Sequence, residues 1–186
     1  MIERRTSQDS SDLRPLSAFL HFRRTHRDSR ALPEKPDKVA FEMGATGLMM
    51  IGLFGLHSSE NIIIRPINQR LHQAPDCDVI DAATNKILHK IEVVHFTEYS
   101  HQHGILNFLL KTKLSPVYAY PKEVAILCHW LGVQSEVNWE RLHHEISAHC
   151  PNRNFYILVR TDKLAMKYQL VQIAPELIIH EIVLPG

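Results

Sequence analysis

Side chains able to do chemistry gather at Pro75-Asp76 and at Glu92. The segments around them, Ala74 to Asp81 and Ile87 to Phe96, are rich in aliphatic and β-branched residues, and the turn-compatible Ala83-Thr84-Asn85-Lys86 lies between, so a β-hairpin is predicted. Side chains alternate along a strand, which places Asp76, Asp78 and Ile80 on one face of the first strand. Leu88, Lys90, Glu92, Val94 and Phe96 share one face of the second. A hairpin closing near Asn85 brings the acidic pair and Glu92 together across neighbouring strands. Converging carboxylates are hard oxygen donors that suit Mg²⁺, which takes one or two of them and keeps several waters. A cation held in this way stabilises developing charge and acidifies bound water.

The elements that must position this hairpin can be read in chain order. Leu13, Leu16, Phe19 and Leu20 fall at helical spacing and predict a short amphipathic helix ending near Phe22. The basic run that follows, with Arg23, Arg24, Arg27 and Arg30, reads either as a phosphate contact or as a solvated arm ahead of the core. Pro33 and Pro36 mark a boundary, after which a helix runs from about Asp37 to near Gly55. That helix is apolar nearly all round and belongs at the centre of the fold. Glu42 on it is either a buried carboxylate, which must be paired, hydrogen-bonded or metal-linked, or a residue of the wet first turns paired with Lys38 at i−4.

Asn61 to Ile67 reads as a strand, Tyr99 to Lys113 as a helix and Pro116 to Tyr120 as a strand parallel to an earlier one. Val124 to Leu131 reads as a short helix stopped by Gly132, and Val137 to His149 as another helix. Strands are expected at Asn154 to Arg160, Tyr168 to Ile173 and Leu177 to Leu184. The outline is α/β (α+β), a mixed β-sheet flanked by helices. Residues 1–35 form a flexible basic arm with a short helix, and residues 36–186 a single domain.

Composition limits the function classes. A chain of 186 residues, 45% hydrophobic and 22% charged, suits one soluble domain, and a formal charge of +1 leaves any nucleic-acid contact to local patches. Met43 to Leu56 is too short to span a bilayer, which needs roughly 20 apolar residues, so no membrane partner is expected. Cys77, Cys128 and Cys150 cannot pair fully and match no zinc spacing; with no secretory signal evident, a cytoplasmic location is expected. Among the thirteen histidines, His144-Glu145 comes near a zinc-protease motif, but position 148 is Ala148. His95, His101 and His103 flank the hairpin, as phosphate or acid groups or as loop and helix-surface residues.

A helix carrying Glu42, a strand, Pro75-Asp76 opening a second strand, Glu92 in a third, then helix and strand, resembles the restriction-endonuclease-like nuclease superfamily, whose signature is Pro-Asp, a spacer, then Asp/Glu-x-Lys. The resemblance covers about Pro36 to Tyr120 and departs at Val94, which stands where the signature has lysine. It implies a restriction-endonuclease-like core and a metal-dependent DNA endonuclease, in genome defence, mobile-element processing or repair. Asp76 and Glu92 would hold Mg²⁺ or Mn²⁺ with Glu42 in support, and Lys90, two residues before Glu92 on the same face, would replace the missing lysine. DNA, and a second copy or a larger complex, would be the partners. The alternative is a nuclease-like module that no longer cuts and serves nucleic-acid binding or assembly; an unrelated α/β interaction protein is the third reading.

Overall fold

The computed structural model describes residues 12–26, 37–67, 75–96, 104–112, 120–131, 137–149, 152–162 and 166–185. Along the chain these form α1 (Pro15–His26), α2 (Lys38–Phe54), β1 (Ile62–Pro66), β2 (Cys77–Asp81), β3 (Ile87–Phe96), α3 (Gly104–Thr112), β4 (Val124–Trp130), α4 (Trp139–His149), β5 (Phe155–Arg160), β6 (Lys167–Ala174) and β7 (Ile178–Val183). The seven strands lie side by side in chain order. β3, β4 and β5 run parallel, and the pairs β1–β2, β2–β3, β5–β6 and β6–β7 are antiparallel. The fold is therefore α+β, a mixed sheet flanked by helices.

Alternation divides the strand residues between two cores. Ile91 and Val93 of β3, Ala125 and Leu127 of β4, and Tyr156 and Leu158 of β5 pack with Leu48 and Met49 of α2 and Phe19 of α1. Val94, Phe96, Ile126, Cys128 and Ile157 face the other way, against Leu109 of α3 and Leu142 and Ile146 of α4. Helices thus cover both faces of the parallel strands, as parallel pairing requires.

The hairpin forms where it was expected. Asp81 caps the turn: its Oδ1 accepts hydrogen bonds from Ala83 N at 2.9 Å and Thr84 N at 2.7 Å, and Asn85 takes a positive φ of 53°. Two expectations change. Val124 to Leu131 is not a helix; Val124 to Trp130 is the central strand β4. Every residue of β4 is buried because strands flank it and helices cover both faces, so its apolar run carries no period that separates strand from helix. The parallel strand following the crossover helix is also β4; the strand expected at Pro116 to Tyr120 falls mostly outside the described residues. The short N-terminal helix is α1, and its Ala18 and Phe19 are fully buried core residues. Leu13, just before it, exchanges backbone hydrogen bonds with Ile64 of β1, at 3.0 and 2.8 Å. Among the described residues, no helix is long and apolar enough to cross a membrane.

The two helices of the first core meet through glycines. A Cβ on Gly47 would strike the backbone carbonyl of Pro15, and one on Gly44 would lie 2.6 Å from Phe22 Cβ. Backbone cannot yield as a side-chain end can, so Gly47→Ala is expected to push α1 off α2 and destabilise the fold by about 1–3 kcal/mol. Thermal unfolding of the variant against wild type measures this; an unchanged Tm would show that the two helices do not need this approach.

Candidate functional site

β2 begins at Cys77, one residue after Asp76, and β3 continues past that point. Asp76 fills the gap. Its N–H donates to Ile91 O at 2.9 Å, and its Oδ2 accepts from Val93 N at 2.8 Å, so the carboxylate takes the ladder position that a longer β2 would have occupied. The two residues it grips, Ile91 and Val93, are those on either side of Glu92.

The N-terminal turns of α2 approach the same point. Asp37 caps the helix by accepting from Ala40 N at 3.2 Å. Beside the cap, Lys38 Nζ lies 3.1 Å from Glu42 Oε1, one turn on, and 3.8 Å from Asp76 Oδ1. The i−4 pairing of Lys38 with Glu42 is present and Glu42 is buried, so it is a paired, buried carboxylate and not a residue of wet first turns. Asp76, Glu42 and Glu92 are only 2–3% exposed, whereas the Lys38 side chain is 61% exposed. The lysine therefore stands between solvent and the Glu42 and Asp76 carboxyls.

Burial, then the negative charge of Asp76, pushes the Glu42 carboxyl up to about 8, and a side-chain hydrogen bond with Asp76 acts in the same direction. Lys38 pulls the other way and loses. Near neutral pH the Glu42–Asp76 pair therefore holds a proton, as two close carboxylates in a dry site must.

Glu92 joins this group through the backbone. Alternation along β3 turns its side chain to the α3–α4 face with Val94 and Phe96, while Glu42 approaches from the α2 face. Asp76, in the plane of the sheet, lies between the two. Among the described residues, no group of three His, Cys, Asp or Glu is arranged to hold a metal ion. Val94, at the signature's lysine position, is 6% exposed and packs with Phe96, Ile126 and Cys128. Lys90 is exposed, with Asp78 and Val124 as its strand neighbours.

Arg23 and Arg24 are exposed on α1, Arg23 lying against the Met166 sulfur; Arg27 and Arg30 fall outside the described residues. His95 belongs to β3 and not to a loop or helix surface, and it neighbours His129 across the parallel β3–β4 ladder. Phe41 packs edge-on against His95, with ring centroids 4.5 Å apart. Burial and then His95 hold His129 down at about 3, so it stays neutral. Sequence reasoning missed this pair because it placed His129 on a helix. It also missed the Lys38–Asp76 approach, for which the i+4 spacing to Glu42 was the available signal.

The proton on Glu42 has a stability consequence. In the folded chain this carboxyl titrates near 8, against 4.5 for the free group. Between these limits the folded state holds the extra proton, so stability must fall as pH rises through the window. Glu42→Gln removes that dependence and is expected to be more stable than wild type at pH 9, converging with it toward pH 4. At this chain length each kcal/mol appears as roughly 2–4 °C in Tm. Parallel Tm–pH curves for the two proteins would contradict the assignment. Compared with known proteins, the chain matches no family model, no curated protein and no solved structure.

Proposed function

We propose that this chain is a metal-dependent nuclease of the restriction-endonuclease-like type, hydrolysing phosphodiester bonds in DNA. The observation that carries the reading is the position of Asp76, fixed to β3 on both sides of Glu92 and in contact with Glu42 of the helix that precedes the sheet. The order of elements supports it: α2 with Glu42, β1, Asp76 ahead of β2, Glu92 in β3, crossover helix α3 and parallel β4.

The donor types suit the ion that the reading requires, while the three carboxylates lie on two faces of β3 and among the described residues form no metal group. Asp76, Glu92 and Glu42 offer hard carboxylate oxygens, and Mg²⁺ needs only one or two of them beside its waters. Asp76 and Glu92 would hold Mg²⁺ or Mn²⁺, with Glu42 in support. A bound ion there supplies charge stabilisation for in-line displacement at phosphorus and a more acidic attacking water. The chain's own part is to fix Asp76 through Val93 N and Ile91 O, to exclude bulk water around the acids, and to keep a proton on the Glu42–Asp76 pair until a cation replaces it. Arg23 and Arg24 contribute phosphate contacts from α1. Cleavage of both strands of a duplex calls for two such sites, hence a homodimer or larger complex, and the buried free thiols Cys77 and Cys128 suit a reducing cytoplasm.

A second reading, a nuclease-like module that binds without cutting, draws on two observations: Val94 is built into an apolar core, and all three carboxylates are closed from solvent. Cleavage of supercoiled DNA with Mg²⁺ or Mn²⁺ separates the two. We expect Asp76→Asn, which keeps an acceptor for Val93 N, and Glu92→Gln each to slow cleavage by about 100-fold or more. Undiminished cutting by Glu92→Gln would remove this site from the reaction. A folded wild type that binds DNA and does not cut would establish the second reading.

A further inference from the structure

We propose that Lys38, on the first turn of α2, supplies the ammonium that this site needs and that neither Val94 nor Lys90 provides. The inference rests on the nuclease reading and assigns to one residue a role that reading leaves vacant. Lys38 Nζ is 3.1 Å from Glu42 Oε1 and 3.8 Å from Asp76 Oδ1, so the charge is already at the carboxylates. Its side chain is 61% exposed while Glu42 and Asp76 beneath it are buried, so a phosphate approaching Asp76 from this side meets the ammonium first.

The alternatives are poorly placed. Val94 is apolar and packed against Phe96 and Ile126 on the α3–α4 face. Lys90 is exposed beside Asp78, further along the β2–β3 ladder. Lys38 also sits at the positive end of a 17-residue helix, where the helix dipole and the ammonium add to a field that suits anionic oxygen.

The reaction adds one water across a phosphodiester. The water oxygen bonds to phosphorus, the bond from phosphorus to one ester oxygen breaks, and the proton from the water ends on the departing oxygen by way of solvent. Negative charge on the non-bridging oxygens grows as the two bonds exchange, and Lys38 offsets it from the solvent side of Asp76. A tethered ammonium stabilises that charge without giving up its proton, so its value lies in the transition state.

The test compares wild type, Lys38→Gln, Lys38→Arg and Lys90→Gln in single-turnover cleavage of a duplex, Mn²⁺ binding by calorimetry, and duplex binding without added metal. Lys38→Gln is expected to lower the cleavage rate by about 100-fold. Its Mn²⁺ affinity should stay close to wild type, duplex binding and Tm should fall only modestly with the loss of one counter-charge at Asp76, and Lys38→Arg, which keeps that charge, should restore part of the rate. A Lys38→Gln variant that cuts at the wild-type rate, or a loss confined to Lys90→Gln, overturns the assignment and leaves the nuclease reading standing. Loss of Mn²⁺ binding in Lys38→Gln overturns it too, by making the lysine structural. A folded wild type that cuts no duplex overturns the nuclease reading and the Lys38 assignment together.

Discussion

A buried N–H without an acceptor costs about 1–3 kcal/mol, and Val93 of β3 faces that cost where β2 has not yet begun. The Asp76 carboxylate removes it by accepting from Val93 N, and the rest of the site follows from that bond. With Oδ2 committed to the sheet, Oδ1 faces Lys38, and the carboxylate cannot rotate away without breaking the ladder. A negative charge fixed in a dry place must then be compensated. Lys38 and a proton shared with Glu42 do so, which explains why a helix otherwise packed with Ala, Met, Leu and Gly carries an acid in its buried stretch.

The same bond ties folding to chemistry. Residues that only build a core tolerate volume-conserving exchange. Asp76 does not, because hydrogen bonding through Oδ2 and charge through Oδ1 cannot both be supplied by an apolar residue of its size. The helix pair above it has a comparable constraint. Gly47 lets α1 settle on α2 at Pro15, Phe22 beside Gly44 stacks edge-on against Phe41 with centroids 4.7 Å apart, and Phe41 in turn covers His95 and His129. The N-terminal turn of α2, with Lys38 and Glu42, is thereby held over the start of β2.

Elements whose local chemistry agrees with their environment were legible in the sequence. The hairpin shows at its solvated end, where Ile87 and Leu88 are exposed and Asp81 and Asn85 supply turn geometry. The apolar helix α2 and the half-exposed strands β6 and β7 were legible for the same reason, and β5, buried on both faces, was legible through its aromatic and β-branched run Phe155, Tyr156, Ile157 and Val159. β4 was not, since burial on both faces erases the alternation that distinguishes a strand and its run, with Ala125 and Leu127, lacks a composition that would replace that signal. The amphipathic pattern of α1 was legible, but its docking depends on two glycines in another helix, which no local pattern reveals. In the site, Asp76, Glu92 and Glu42 were legible as carboxylates in a particular order. Which faces they take, and that Lys38 reaches Asp76 across 38 positions of chain, depend on where β2 starts relative to β3.

The position of Val94 shows how sheet packing constrains where a charge can enter. Along β3 the side chains at 92, 94 and 96 face α3 and α4, and beyond Glu92 that face closes into a core of Phe96, Ile126, Cys128 and Trp130. An ammonium at 94 would have to leave water for this core, and an unpaired buried charge costs far more than one packed methyl group contributes. The α2 face offers a different exit. There the helix begins at Lys38, which with Val39 is open to solvent, and a flexible four-carbon stem can lower its charge onto Asp76 while much of the side chain stays wet. A fold that closes one face of β3 with apolar side chains can still bring a cation to Asp76, provided that the cation comes from the helix end on the other face.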